Sequence, residues 1–417
     1  MNVRCTTLAN GCRIITDVFD SIQSAAINVL VDVGTRHEPE HLGGLAHFLE
    51  HMAFKGTERR TAKEIAEAIE SRGGSINAGT AAEWTSYSCR VLKEDVELAV
   101  DILADIVCHS TLPQDEFERE RGVILLELAA MEDNHEDRLY ERLYATVLPG
   151  TIGRPGLGTP DTVKFITVDD LRQFTDEHYV GSRIIVSGSG NLDHDDFVAA
   201  VEKRFSGLSK GGRRVTPSAV YVSDEYRDER DIEQVHLLMA LPGFGLQDRL
   251  AYAASFLATA FGGAWSSRLF QELREKRGLC YEVTATHTPY SDTGIVGIGL
   301  QCAPESVDEA VPILIGELSA LSDGLLDHEL DTAKQISRAS LMIDLESTSQ
   351  RTSLIVSYLR NFSGVFDFDT ELGKIAAVNH DDIGAVIDCM MSAPPALAVM
   401  GSGRLPTLNE INKLLRR

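Results

Sequence analysis

His47-Phe48-Leu49-Glu50-His51 is the segment of this chain with the plainest capacity for chemistry. On a helix, positions i and i+4 share a face, so both imidazoles can reach one metal ion, as a zinc site requires. Glu50 lies beside His51 and three residues after His47. From there it can hold a metal-bound water and take its proton; the metal brings that water's pKa towards about 7, where a carboxylate suffices as base. The rival reading is a surface helix with two unrelated histidines. With 12 histidines in 417 residues, a chance match to this five-residue pattern is rare. The flanks, glycine-rich before and apolar after, suit a packed helix. His37 and His41 sit in a charged loop and read as surface residues rather than ligands. His109, His135, His178, His194, His236, His287, His328 and His380 have no ligand-like spacing.

Elements on either side must position this segment. The alternating apolar stretch Ile22 to Val33 predicts a strand. A helix is expected from about Gly44 to Phe54, and a second from Ala62 to Arg72, stopped by Gly73-Gly74. Ser75 to Leu92, rich in Thr, Ser, Tyr and Val, reads as strands with a turn. Helices follow over Val96 to Cys108 and Gln114 to Met131, then a loop from Pro149 to Pro160. A helix from Val168 to His178 and a buried strand from Arg183 to Ser187 come next. The second half repeats this plan. Val168-Asp169-Asp170-Leu171, then a helix, a strand and Gly188-Ser189-Gly190, has a counterpart in His380-Asp381-Asp382-Ile383, then a helix, a strand and Gly401-Ser402-Gly403. A shared order of elements argues for duplication of one domain. The fold class expected is α+β: two homologous domains, 1–212 and 213–417, each a mainly antiparallel sheet packed with helices. The boundary is placed in the linker Ser209 to Pro217 or the charged stretch after it.

His-x-x-Glu-His is the inverted form of the zinc-peptidase motif. The stretch Gly43-Gly44-Leu45-Ala46-His47-Phe48-Leu49-Glu50-His51-Met52-Ala53-Phe54-Lys55-Gly56-Thr57 closely resembles the pitrilysin family of zinc metallopeptidases, which includes processing peptidases. The resemblance implies a third ligand about 76 residues beyond the second histidine, on a separate helix. Glu127 stands there, within Glu120-Arg121-Gly122-Val123-Ile124-Leu125-Leu126-Glu127. It implies that Glu120, two helical turns earlier, supports the site; read alone, Glu120 would be a solvated charge. It makes Gly74-Ser75-Ile76-Asn77-Ala78-Gly79-Thr80 an edge strand that pairs with the substrate backbone through Asn77 and Ala78. Where this chain has Gly79, the family commonly has an aromatic residue. The loop Gly153-Arg154-Pro155-Gly156-Leu157-Gly158-Thr159 also resembles the family pattern.

In the second half, the segment from Ser266 to Tyr281 is similar to the part of the family that supplies an Arg and a Tyr seven residues apart. Arg274 and Tyr281 match that spacing. By resemblance Arg274 anchors the substrate and Tyr281 stabilises the oxyanion; read alone, the segment is a basic helix end followed by a strand. The function implied is a zinc metalloendopeptidase, one zinc per chain, cleaving peptides or presequence-like segments inside a closed chamber. This chain would be half of a clamshell, as a homodimer or with a related partner. The alternative is a non-catalytic peptide-binding or scaffold subunit, but such chains usually lose part of the zinc motif, which is complete here.

Composition sets the remaining bounds. The net charge of −24, from 63 acidic and 39 basic residues, argues against nucleic acid, whose phosphates need a basic face. It reads as solubility, or more sharply as an acidic cavity attracting basic peptides. Phe261-Gly262-Gly263-Ala264 forms no phosphate loop, because no Lys-Ser/Thr pair follows. No apolar run approaches the ~20 residues that span a bilayer. The N-terminus lacks the pattern of a secretory signal. Seven cysteines without a C-x-x-C pair suit reduced thiols. The location expected is the cytoplasm of a bacterium, or the mitochondrial matrix in a eukaryote.

Overall fold

The computed structural model describes residues 1–150, 152–212 and 216–416. The three linker residues 213–215 and position 151 of the expected loop lie outside them. Two compact units are present. The first contains residues 1–129, 154–217 and 342–368. Its six strands are β1 (Val3–Thr7), β2 (Arg13–Val18), β3 (Ser24–Val31), β4 (Ser75–Thr80), β5 (Thr85–Leu92) and β6 (Ile184–Gly190), in the order β1-β2-β6-β3-β5-β4. Only β2 and β6 run parallel. The central strands β3 and β6 are covered on both faces and are buried almost throughout. β5 alternates, as a strand with one wet face does. β4 bonds only β5 and forms an edge.

The second unit contains residues 130–153, 218–341 and 369–417. Its strands are β7 (Glu225–Glu229), β8 (Val235–Gly243), β9 (Cys280–Pro289), β10 (Gly294–Cys302) and β11 (Ala396–Gly401), in the order β7-β11-β8-β10-β9. Only β7 and β11 are parallel. This is the order β2-β6-β3-β5-β4 of the first sheet, so the duplication expected from the sequence holds strand by strand. The paired Asp signals turn out to be capping boxes: Thr167 with Asp170, and Asn379 with Asp382. The glycines match two residues out of the expected register: Gly190, not Gly188, is the counterpart of Gly401. Gly190 and Gly401, at the ends of β6 and β11, have φ of +121° and +155°. A Cβ would lie 2.4 Å from Ser24 O at Gly190, and 2.9 Å from the Val235 Cα at Gly401. Both clashes fall at the start of the neighbouring strand, β3 or β8.

The units are not the contiguous halves 1–212 and 213–417. Each sheet takes one helix from the other half of the sequence. The helix Thr348–Phe362 packs on β2, β3 and β6 of the first sheet, burying Thr352, Ile355, Val356 and Leu359. The helix His135–Val147 packs on β8 and β11 of the second, burying Leu139, Leu143 and Val147. Among the described residues no helix is long and apolar enough to cross a membrane.

Candidate metal centre

The helix Leu45–Ala53 buries Leu45, Ala46, Phe48, Leu49, Met52 and Ala53. That apolar face fixes its rotation and turns His47, Glu50 and His51, all half-buried, to the other side. Its start is held from several directions. Gly44 has φ +91°, and a Cβ there would lie 2.5 Å from Leu157 O, so only glycine fits. The Thr162 hydroxyl donates to Gly43 O at 2.7 Å. The first amides of the helix have no intrahelical partner. Here Glu38, 4% exposed, accepts from Gly44 N at 2.9 Å and from Ala46 N at 2.7 Å. Arg154 donates to the Glu38 carbonyl at 2.5 Å.

The third candidate ligand arrives on the helix Gln114–Asp133. The Phe48 ring stacks on Phe117 at 4.4 Å, and the Arg121 guanidinium lies 4.7 Å from the Phe117 ring. With Phe117, Glu120, Ile124 and Leu128 buried, Glu127 is carried over the histidines. Its Oε2 lies 3.8 Å from His47 Nε2 and 3.6 Å from His51 Nε2. The donor atoms of His47, His51 and Glu127 all fall within 4.8 Å of one another, the one such group among the described residues. Ligands at ~2.0–2.1 Å around a tetrahedral ion stand about 3.3–3.5 Å apart, and the two distances from Glu127 come close to that spacing. Burial, with His51 nearby, pushes the His47 pKa down to about 4. It is therefore neutral at pH 7, the form that ligates.

Glu120 is not a solvated charge. It is 6% exposed, lies 3.1 Å from His51 Nδ1 through Oε2 and pairs with Lys55 Nζ at 2.7 Å through Oε1. A proton on His51 Nδ1 shared with this carboxylate leaves Nε2 free for a metal. Glu50 accepts from the Thr80 hydroxyl at 2.5 Å. Burial raises its pKa, against the Thr80 bond and the charge of His51. Thr80 is the last residue of the edge strand β4, whose Asn77 is exposed and Ala78 half-buried. One edge of β4 carries no strand among the described residues.

Arg274 and Tyr281 lie in the second unit. They stand together: the Arg274 guanidinium is 4.8 Å from the Phe270 ring and 5.5 Å from the Tyr281 ring. Tyr281, beside the first residue of β9, is 68% exposed. The sequence reading missed Glu38, Lys55 and Thr80. Of the two histidines expected at the surface, His41 is exposed, whereas His37 is half-buried among Thr35, Arg36 and Glu38, and its Nδ1 accepts from Gly34 N at 3.0 Å. No periodicity marks a carboxylate that caps a helix from six residues before its first glycine-bounded turn. The preference for acidic groups at helix starts was the one signal available.

Fold and site together define a metallopeptidase with the inverted histidine motif. The family model "Insulinase (Peptidase family M16)" matches residues 13–159, and "Peptidase M16 inactive domain" matches 166–337. An uncharacterized zinc protease of Streptomyces coelicolor is 37% identical over 414 residues, covering 96% of this chain and 89% of that protein. A Bacillus subtilis protein of the same description is 33% identical, covering 96% and 99%. Among solved structures, a Pseudomonas fluorescens peptidase M16 inactive domain superposes with a TM-score of 0.90 at 19% identity, over 98% of this chain and 100% of that one. A Helicobacter pylori protease does so at 0.85 and 21%, over 95% and 99%. The chain belongs to peptidase family M16, the insulinase family, and with it to the zinc metallopeptidases.

Proposed function

We propose that this chain is a zinc metalloendopeptidase that cleaves peptides or extended, presequence-like segments in a closed chamber. One zinc per chain would be held by His47, His51 and Glu127. When bound, zinc supplies Lewis acidity, polarising the scissile carbonyl and acidifying water. The chain's own groups do the rest. β4 receives the substrate backbone as an added strand, with Asn77 and Ala78 setting its register. Glu50 takes a proton from the attacking water and returns it to the leaving nitrogen, giving a carboxylate and an amine. Glu120 keeps His51 in the ligating tautomer. Arg274 anchors the substrate and Tyr281 donates to the oxyanion. The chamber would form with a second copy or a related chain, in the cytoplasm, where the seven free thiols persist.

The observation that carries this reading is the convergence of three ligand atoms beside a carboxylate tied to an edge strand. A complete ligand set also argues against a non-catalytic subunit. The test is product analysis by mass spectrometry on a mixed peptide library, with and without a chelator, for wild type and Glu50→Gln. Internal cleavage that a chelator abolishes, and a variant that keeps zinc but loses about 10²–10⁴-fold in rate, are expected. Near-normal turnover by Glu50→Gln, or full activity without metal, removes the mechanism.

A further inference from the structure

β4 has an unusual mechanical problem. A strand inside a sheet is fixed by ladders on both sides, but β4 has one ladder, to β5, and the reading above leaves its other edge for substrate. The position of Thr80, and through it of Glu50, must come from something besides the sheet. The structure supplies it at the β4–β5 turn. Thr35 N and Arg36 N donate to Ala81 O and Ala82 O at 3.1 and 2.8 Å. The turn sits so close that a Cβ on Gly34 would lie 2.1 Å from Ala81 O. Thr85 Oγ1 donates to Val33 O at 3.0 Å.

The side chains repeat the attachment with charge. Glu83, in the turn, is 5% exposed, and Arg36 is 1% exposed; they meet at 2.7 Å. Arg360 reaches the same carboxylate at 3.6 Å and holds Asp32, just past β3, at 2.6 Å. Two guanidinium groups thus face two carboxylates. A buried carboxylate deprived of one partner is strongly destabilised where it stands. Arg360 is carried by the helix Thr348–Phe362, from the other half of the sequence.

We propose that Arg360 is a positioning residue: with Arg36 it clamps Glu83, and so holds the turn that keeps Thr80 on Glu50 and β4 in register for substrate. The inference rests on β4 being the substrate strand and Glu50 the base. It gives the helix Thr348–Phe362 a role in the site as well as in covering the sheet. Arg351 provides the control. It lies on the same helix and pairs at 2.5 Å with buried Asp17 on β2, the strand next to the opposite edge of the sheet.

The experiment compares Arg360→Met with Arg351→Met in the full chain, by hydrogen exchange of metal-free and zinc-loaded protein and by steady-state cleavage. In Arg360→Met, amides of residues 76–85 are expected to exchange about tenfold faster or more. Those of the helices Leu45–Ala53 and Gln114–Asp133 keep their rates, and zinc content is unchanged. The loss in kcat/KM, about tenfold, falls mainly on KM, because substrate must now order its own docking strand. Arg351→Met leaves the turn at its wild-type rate. If Arg360→Met does not fold, Arg360→Lys replaces it: one ammonium cannot reach both carboxylates as a guanidinium does, and a smaller change confined to 76–85 is expected. Unchanged exchange at 76–85, equal acceleration in Arg351→Met, or acceleration spread over the whole first unit overturns the proposal. A wild-type protein that binds zinc but cleaves no peptide overturns the peptidase reading instead, and the exchange data still decide the clamp.

Discussion

Glu38 offers the sharpest test of the electrostatics around the metal helix. Its carboxyl is buried, and burial pushes its pKa up to about 8, against hydrogen bonds from Ala46 and Gly44 and the charge of Arg154. In the unfolded chain the same group titrates near its ordinary value of 4.5. The folded state therefore holds a proton that the unfolded state has released between those two pH values. The stability this group lends is complete below about 4.5 and is lost as pH rises through about 8. A difference of that size corresponds to roughly 5 kcal/mol.

Glu38→Gln removes the titration and keeps the shape. Its amide oxygen can accept one of the two N–H groups, but its NH2 faces the other, at a cost of about 1–3 kcal/mol. The variant is thus expected to be the less stable protein at pH 5 and the more stable one at pH 9, with the curves crossing between. The assay is urea unfolding of metal-free protein across that range. Metal is removed because its own binding depends on pH. The chain has two tryptophans, Trp84 in the first unit and Trp265 in the second. A Trp265→Phe background therefore leaves Trp84 to report on the first unit alone. If wild type instead gains on the variant as pH rises, the carboxylate is ionised when folded. The amides of the helix start and Arg154 then outweigh burial, and the reasoning fails.

Glu120→Gln keeps the packing but weakens the acceptor on His51 Nδ1; zinc affinity is expected to fall about 10–100-fold, read by competition with a chromogenic chelator, and unchanged affinity would remove its supporting role. Tyr281→Phe is expected to lower kcat by about 10²–10³-fold without changing zinc content; a rate near wild type would withdraw the oxyanion assignment.

The parts legible in the sequence are those written in local pattern. The helix over residues 45–53 and its facing histidines follow from spacing within five residues, and the helices at 96–108 and 168–178 from continuous periodicity. The duplication was legible because the helix cap with its Asp, the helix and the following strand recur in order; the order of the strands in each sheet was not. Glu127 was legible only through resemblance, since nothing in a lone glutamate 76 residues away announces that Phe117 will stack on Phe48. Glu38 and Thr80 were not legible, because neither acts through a periodic pattern: Glu38 accepts from two amides six and eight residues on, and Thr80 makes one long-range bond to Glu50. β1 and β2 were passed over; Arg13–Val18 lacks alternation because both faces of the strand are covered. The exchange of helices between halves was hidden for a deeper reason. An amphipathic helix states which face it buries but not which sheet will receive it.

That exchange changes what truncation can show. A fragment of residues 1–212 holds all three candidate ligands and Glu50, and by sequence it is a domain. By structure it lacks the helix Thr348–Phe362, whose Ile355, Val356 and Leu359 are buried in the first unit. At about 1.5–3 kcal/mol for each large apolar side chain, their loss amounts to roughly 5–9 kcal/mol, comparable to the 5–15 kcal/mol that holds a domain together. The fragment also retains the helix His135–Val147, whose Leu139, Leu143 and Val147 then have no second sheet to cover. It is therefore expected to be aggregated or only partly folded. Its inactivity would say nothing about Arg274 or Tyr281, which only point variants in the full chain can address. Circular dichroism and urea titration of the fragment decide the matter, beside a version with residues 342–368 joined through a flexible linker. Cooperative unfolding of the linked version alone is expected. A fragment 1–212 that unfolds cooperatively by itself would show that the borrowed helix is dispensable to the first sheet.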